Sequence, residues 1–417
     1  MADRGRVPAA TSNDQRRRGL GRIIISDGIS VTGDWALNTA ASIAVFRETG
    51  STAAVSVLLA LALIPTVLVA PFAGAIADRR DRRTILVAMD VISGLVLVVA
   101  TAAAAAGFRL EGTYAAVLTL AVLATFRRPA AAALRASIAG DEQLARANSL
   151  IQTATRLAMI AGPAAASGLM STGGLELTLA ADAATFGASA LLVTGVPRVP
   201  IRAGQNQVSA FAASLDGLRF ARDNRGVRTV VATIGVVMLV APIVNAGTLP
   251  LVKDELGVPE SRYGILLAAE GVGALGLALV FTALGSRLRL IPAGIAATLL
   301  TGASTVLLGA AAAMATAIAA MALMGVGLVA FQVAFASYLQ RETPDEFRGR
   351  VMSLASMTAA IAGLAGFAFV GPLIYAVGVR PAFWLAGIVI CLTALPVSGL
   401  AWRTRREALG QPSPSSG

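Results

Sequence analysis

The sequence of 417 residues contains no histidine, one cysteine and one lysine, Lys253. Without histidine there can be no Ser-His-Asp triad, no HExxH zinc site and no imidazole proton relay. A Walker A loop requires lysine followed by serine or threonine, whereas Asp254 follows Lys253. The single Cys391 excludes an intrachain disulfide. We therefore expect neither an enzyme nor a metal site or organic cofactor.

Charged residues are also scarce, at 14% of the chain against about a quarter in a typical soluble domain. Hydrophobic residues reach 56%, and the mean hydropathy is +0.75. Such a composition indicates a chain whose surroundings are mostly lipid. The net charge of +11 does not indicate nucleic-acid binding here, because the arginines lie in short segments between apolar runs, where they determine membrane topology.

Twelve apolar runs are each long enough to cross a hydrocarbon core of about 30 Å as a helix. Continuous runs without in/out alternation favour helices over a barrel. The uncharged segment 290–340 is too long for one crossing, so we place a turn near Gly309. The predicted spans are 23–46, 52–77, 84–107, 113–139, 147–171, 174–196, 229–250, 263–285, 290–310, 313–338, 351–376 and 381–402.

Basic residues are distributed unequally between the two sides that these spans define. Both termini and every second loop collect 25 arginines, whereas the other loops carry five basic residues. The positive-inside rule therefore predicts a multi-pass protein of the inner or plasma membrane with both termini in the cytoplasm. The polar first 22 residues do not resemble a signal peptide.

The chain is predicted to consist of two duplicated halves. DEQLARANSL at 141–150 matches DEFRGRVMSL at 345–354 in five of ten positions, 204 residues apart, as in a duplicated transporter. The predicted parts are a cytoplasmic tail (1–22), a six-helix bundle (23–196), a cytoplasmic linker (197–228), a second six-helix bundle (229–402) and a disordered tail (403–417).

The predicted linker contains one amphipathic segment. Phe211, Leu215 and Leu218 recur at helical spacing beside Arg219 and Arg222. This pattern fits an amphipathic helix on the inner membrane surface, and it fits a solvated linker helix equally well.

The loop between the second and third spans carries a family resemblance. Its sequence GAIADRRDRR resembles the G-x-x-x-D-R-x-x-R-R signature of the major facilitator superfamily. The resemblance implies an all-α membrane protein with twelve transmembrane helices in two pseudo-symmetric bundles. It also implies a cytoplasmic gate in which Asp78 faces the start of span 11. With Asp90, expected to pair with loop arginines, the predicted gate residues are Gly74, Asp78, Arg79, Arg82, Arg83, Asp90, Arg348 and Arg350. The arginine cluster by itself also fits a purely topological role.

Further segments are similar to one branch of this superfamily. RRPAAAALRASIAGDEQLARANSL at 127–150 and GLRFARDNRGVR at 217–228 resemble drug:proton antiporters that include macrolide efflux pumps and enterobactin exporters. This resemblance implies export of a drug, antibiotic or siderophore in exchange for protons. We expect kinks or loosened helices at Gly162, Pro163, Gly371 and Pro372, although close helix packing also explains these glycines.

Ionisable residues within the spans are candidate functional residues, because a charge at mid-bilayer costs about 2.5–3.5 kcal/mol on insertion scales. Asp34 lies about 16 Å into the first span, and we predict that it carries the coupling proton, followed by Glu270 and Asp182. A nearby arginine favours the carboxylate form of such an acid. The predicted modulators are Arg127, Arg128 and Arg156. The alternative is that these charges form structural ion pairs.

The substrate cavity is expected to be apolar with few polar anchors. Its predicted lining residues are Asp27, Ser30, Trp35, Asn38, Gln152, Phe331 and Gln332. We expect a functional monomer in the lipid bilayer that uses the proton gradient and a small-molecule substrate. Two alternatives stay open, namely a metabolite symporter or uniporter of the same fold and a non-transporting membrane receptor or scaffold.

Overall fold

The computed structural model describes residues 13–69, 80–198, 210–284 and 289–399, which are helical and contain no strand within those ranges. A π-helical turn, Leu251–Glu255, and a 3-10 turn, Glu260–Arg262, join the helix that ends at Pro250 to the helix that begins at Tyr263. The helices are α1 (Asn13–Thr49), α2 (Thr52–Leu68), α3 (Arg82–Ala105), α4 (Arg109–Thr172), α5 (Gly174–Thr194), α6 (Ala210–Asp223), α7 (Arg225–Pro250), α8 (Tyr263–Leu284), α9 (Leu290–Gly309), α10 (Met314–Glu342), α11 (Asp345–Val377) and α12 (Val379–Leu392).

Local sequence sets several of the helix boundaries. The side chains of Ser51, Asp81 and Asn224 each accept a hydrogen bond from a backbone N–H in the first turn of the helix that follows. These residues are typical N-caps, since they satisfy amide groups that lack an intrahelical acceptor. The turn predicted near Gly309 is confirmed, because α9 ends at Gly309 and α10 begins at Met314.

Eight helical segments in the described ranges are long and apolar enough to cross a membrane. The predicted total of twelve crossings stays a prediction.

The two ends of the bundle differ in arginine content. The arginine-rich end of the bundle is the end where α1 begins and α5 ends. The arginine-poor end is the end where α1 and α7 end. That the first of these ends is cytoplasmic stays a prediction from the charge pattern.

The element α4 differs most from the predicted spans, because it runs for 64 residues through a predicted loop. A straight helix of this length would extend about 96 Å, about three times the hydrocarbon core. Its two ends nevertheless lie together: Arg109 Nη2 is 2.8 Å from Glu176 Oε1, and Glu176 is in the first turn of α5. The element therefore reverses direction, and its two arms correspond to the predicted spans 113–139 and 147–171.

The buried apolar residues show how the two halves of the chain meet. One core contains Phe46 and Leu58 from the first half together with Leu251 and Phe383 from the second, at the arginine-poor end. At the arginine-rich end each half has a core of its own, one around Ile23 and Val193 and the other around Val230, Phe335 and Val351. Among the described residues, the two halves thus share a buried core at the arginine-poor end and have separate buried cores at the arginine-rich end.

Candidate functional site

A cavity of about 70 Å³ lies between α1, α2 and the first arm of α4. Its polar lining comes from Asp34 and Asn38 on α1 and from Arg128 on α4, and its walls are Leu37, Ala62, Val117, Leu120, Ala121 and Ala124. Asp34 and Arg128 form no side-chain hydrogen bond or ion pair with any residue that the structure describes. Two opposite charges therefore face one small cavity without direct contact.

The size of this cavity limits what it can hold. Pockets for drug-sized ligands measure about 300–1,000 Å³, whereas 70 Å³ has room for a few water molecules. A half-buried carboxylate with water and a cation nearby can bind and release a proton. The Asp34 cavity is therefore a candidate proton site and too small for the cargo itself.

Arg127, the residue before Arg128, lies in a different environment. Its Nε is 2.6 Å from Asp90 Oδ1, and its Nη1 is 2.9 Å from Asp27 Oδ1. Its Nη2 donates to the hydroxyl groups of Ser26 and Ser189, both at 3.2 Å. The three charged residues are less than 9% exposed. This network joins α1, α3, α4 and α5 in the first half of the chain.

The network extends through two further contacts. Ser189 Oγ donates to Asp90 Oδ2 at 2.6 Å, and Arg135 Nη1 pairs with Asp27 Oδ2. Asp90, expected to pair with loop arginines, thus pairs with Arg127 of α4 instead, because α3 and α4 pack side by side at this depth. Asp27, predicted in the substrate cavity, has both carboxylate oxygens engaged by arginines.

Asp182 on α5 is buried against α1. Thr185 Oγ1 donates to Asp182 Oδ1 at 2.8 Å, while Oδ2 is buried and has no hydrogen-bond partner among the described residues. The carboxyl group fills the space beside Gly33, where an added Cβ would overlap Oδ1. The acid therefore faces α1, the helix that carries Asp34.

The third predicted acid, Glu270, lies where the two halves meet. It is half-buried on α8, and Arg156, on the second arm of α4, is the cation that acts on it electrostatically. The helices approach closely here, since a Cβ added to Gly271 would lie 2.7 Å from Ile160 Cγ1. Arg156 Nη1 is 3.8 Å from Met159 Sδ. Glu270 and Arg156 thus belong to opposite halves and can change their separation when the halves move.

Residues 16–411 match the family of transmembrane secretion effectors. The chain belongs to this family. It is 24% identical over 394 residues to the uncharacterized MFS-type transporter YfiS of Bacillus subtilis (strain 168), over 91% of this chain and 93% of that protein. It is 26% identical over 375 residues to the multidrug efflux pump Tap of Mycobacterium bovis (strain BCG / Pasteur 1173P2), over 84% and 86% of the two chains.

The fold of this secretion effector is similar to that of the nucleoside transporter NupG. The TM-score is 0.76 at 13% identity, and the match covers 92% of this chain and 99% of that chain. The predicted superfamily and its fold are confirmed, and the protein is a membrane-embedded small-molecule transporter rather than an enzyme.

The gate motif of this transporter is only partly visible. Gly74, Asp78 and Arg79 lie outside the described residues. Of the other predicted gate residues, Arg82 Nη1 donates to Ser137 Oγ at 2.6 Å, and Arg83 Nη2 donates to the carbonyl oxygen of Thr194. Both arginines thus connect the start of α3 to neighbouring helices of the first half.

The corresponding region of the second half connects α11 to the predicted linker. Arg348 pairs with Asp345 at 2.6 Å, and Arg350 Nη1 is 3.5 Å from Asp216 Oδ2 on α6. The rings of Phe220 and Phe347 stack with centroids 5.1 Å apart. The helix α6 therefore packs against the first turns of α11.

The remaining predicted residues fall into different environments. Ser30 is buried, Trp35 is half-buried, and Gln152 and Gln332 are exposed. Phe331 is 2% exposed and packs edge-on against Phe335, with centroids 4.7 Å apart, so it belongs to the core of the second half.

Both predicted Gly-Pro pairs lie at close helix contacts. Pro163 and Pro372 are inside α4 and α11, which continue past them. A Cβ at Gly162 would lie 2.6 Å from Trp35 Cβ, and one at Gly371 would lie 2.5 Å from Ala53 Cβ. The second contact joins the two halves at the arginine-poor end.

Proposed function

We propose that this transporter exports a hydrophobic or amphiphilic small molecule, such as a drug, an antibiotic or a siderophore, in exchange for protons. The observation that carries the proposal is the cavity in which Asp34 and Arg128 face each other without an ion pair. Withdrawal of water favours the protonated acid, and the approach of a cation favours the carboxylate. Helix movements that change the distance between Asp34 and Arg128 would therefore bind and release a proton.

The packing of the two halves supports alternating access. The halves share a core at the arginine-poor end and have separate cores at the arginine-rich end. If the arginine-rich end is cytoplasmic, as the sequence predicts, the cargo enters from the cytoplasm. The similarity to Tap, a multidrug efflux pump, supports export as the direction and a drug as the cargo.

The decisive experiment uses Asp34→Asn, which mimics a permanently protonated acid. The purified protein is reconstituted in vesicles with a panel of hydrophobic fluorescent dyes that includes ethidium. We expect Asp34→Asn to retain dye exchange across the membrane and to lose accumulation driven by a proton gradient. Glu111→Gln, which alters an exposed carboxyl group on α4, is the matched control and should retain both activities.

Two other outcomes separate the alternatives. Gradient-driven accumulation at the wild-type rate in Asp34→Asn would refute the role of Asp34 and transfer it to Glu270, the next acid with an opposing arginine. A metabolite symporter would instead accumulate its substrate in the direction in which protons enter, so the sign of dye movement relative to the gradient distinguishes the two. A receptor or scaffold would show no flux in either case.

A further inference from the structure

A second and larger cavity, of about 540 Å³, lies between the first turns of α1 and the middle of α4. Arg17, Leu20, Gly21 and Ile24 line it from α1, and Gln143, Arg146, Ala147 and Leu150 line it from α4. Both sets have the spacing i, i+3, i+4, i+7, so each presents one helix face. The cavity is therefore a groove between two helix faces at the arginine-rich end.

The chemistry of the groove changes along its length. Arg17 on α1 and Arg146 on α4 come first as each helix enters the apolar region, and Ile24 and Leu150 follow one to two turns later. Both arginines are exposed, and neither pairs with a carboxylate of the described residues. The groove thus has a cationic mouth and an apolar floor, which together suit an anionic amphiphile.

The position of the groove favours a lipid over a soluble anion. The predicted hydrocarbon run begins at residue 23 on α1 and at residue 147 on α4, so both arginines lie outside it, whereas Ile24, Ala147 and Leu150 lie within it. Guanidinium groups bind phosphate through paired, charge-assisted hydrogen bonds. Basic pockets between helices on the cytoplasmic side bind the headgroups of anionic lipids.

We propose that this groove binds one anionic phospholipid, with its phosphate between Arg17 and Arg146 and its acyl chains along Leu20, Ile24 and Leu150. The site is separate from the Asp34 cavity, which lies about 15 Å further along α1 from Ile24. The groove has unoccupied space at Gly21, where an added Cβ would meet no atom within 4 Å. The proposal does not depend on proton coupling, because lipid binding requires no gradient.

The test measures which lipid the purified full-length protein retains in detergent, by native mass spectrometry. The protein is offered equimolar phosphatidylglycerol and phosphatidylcholine with identical acyl chains. We expect the wild type to retain phosphatidylglycerol preferentially, and Arg17→Gln/Arg146→Gln to lose that preference by about 5-fold for each arginine removed. The matched control, Arg289→Gln/Arg341→Gln, removes the same charge from exposed arginines of the second half and should keep the preference.

A second variant tests the apolar part of the groove. Gly21→Leu keeps both arginines and fills the free space, so it should also lose phosphatidylglycerol while its thermal unfolding stays that of the wild type.

The proposal is overturned if the wild type retains both lipids equally, or if the control pair loses as much preference as the groove pair. Displacement of the lipid by glycerol 3-phosphate would show a soluble-anion site, and displacement by ethidium would show a cargo entrance. Either result would also overturn it.

Discussion

Lys253 lies above the ring of Phe46, with its Nζ 5.4 Å from the ring centroid. Phe46 is near the end of α1 in the first half of the chain, and Lys253 is in the π-helical turn after α7 in the second. The same ammonium group is 2.7 Å from Glu260 Oε1. A cation over an aromatic ring contributes about 0.5–1 kcal/mol when exposed and about 2 kcal/mol when desolvated. The contact therefore stabilises the closed arginine-poor end.

Without the aromatic ring of Phe46, we expect the arginine-poor end to open more often. We expect Phe46→Leu to raise the rate at which Lys253 reacts with a membrane-impermeant amine reagent by about 2- to 30-fold, the equivalent of the cation–π energy. Because Lys253 is the single lysine, peptide mapping distinguishes its modification from that of the N-terminus. Phe335→Leu, a similar core change at the arginine-rich end, is the control. Equal labelling of Phe46→Leu and wild type would contradict the closing role.

The same cluster should respond to acid. The hydrogen bond from Lys253 lowers the pKa of Glu260 below its usual value of 4.5. Because the folded-state pKa is the lower one, the stabilisation by Glu260 is complete above the unfolded pKa and is lost as the pH falls through the folded pKa. We expect Glu260→Gln to unfold at a lower temperature than wild type at pH 7, with the difference shrinking as the pH falls below 4.5 and through the lowered pKa of Glu260. A difference that widens on acidification would contradict this assignment.

The buried network around Arg127 should contribute strongly to stability. Arg127→Gln leaves Asp27 and Asp90 without their shared cation in a buried environment, which typically costs about 3–5 kcal/mol. Thermal unfolding in detergent measures the loss, with exposed Arg225→Gln as the control. Adding Asp90→Asn to Arg127→Gln should recover part of it, since one uncompensated charge is then removed. If Arg127→Gln unfolds at a temperature close to that of Arg225→Gln, the prediction that the buried network contributes strongly to stability is contradicted.

The contact between Gly33 and Asp182 predicts a suppressor pair. Gly33→Ala would force its methyl group onto Asp182 Oδ1, and such overpacking typically costs about 1–3 kcal/mol. Gly28→Ala on the same helix is the control, because its Cβ would meet Ala154 Cβ at an ordinary 3.6 Å. We expect Asp182→Ala to restore part of the unfolding temperature that Gly33→Ala loses, because Thr185 Oγ1, 2.6 Å from the added Cβ, must still rotate away. Failure of the second change to rescue the first would show that the two helices do not pack in this way.

Several features follow from sequence alone because a bilayer restricts what a chain can do. Apolar runs must match the hydrocarbon thickness, so their lengths predict the helices and the turn after Gly309. The charge pattern and the loop signature indicate the superfamily before any tertiary contact is known. The residues of the first span also make Asp34 a candidate, because a charge at mid-bilayer costs about 2.5–3.5 kcal/mol on insertion scales.

Tertiary structure decides which arginine pairs with which acid. Arg127 and Arg128 are chemically identical neighbours, yet one is buried between Asp27 and Asp90 and the other lines the Asp34 cavity. Adjacent residues of an α-helix point about 100° apart, so their surroundings depend on which helices pack on each side. The partners of Arg127 lie 37 and 100 residues away in sequence. Only the packing of α1, α3 and α4 brings these side chains together, and their spacing along the chain does not predict it.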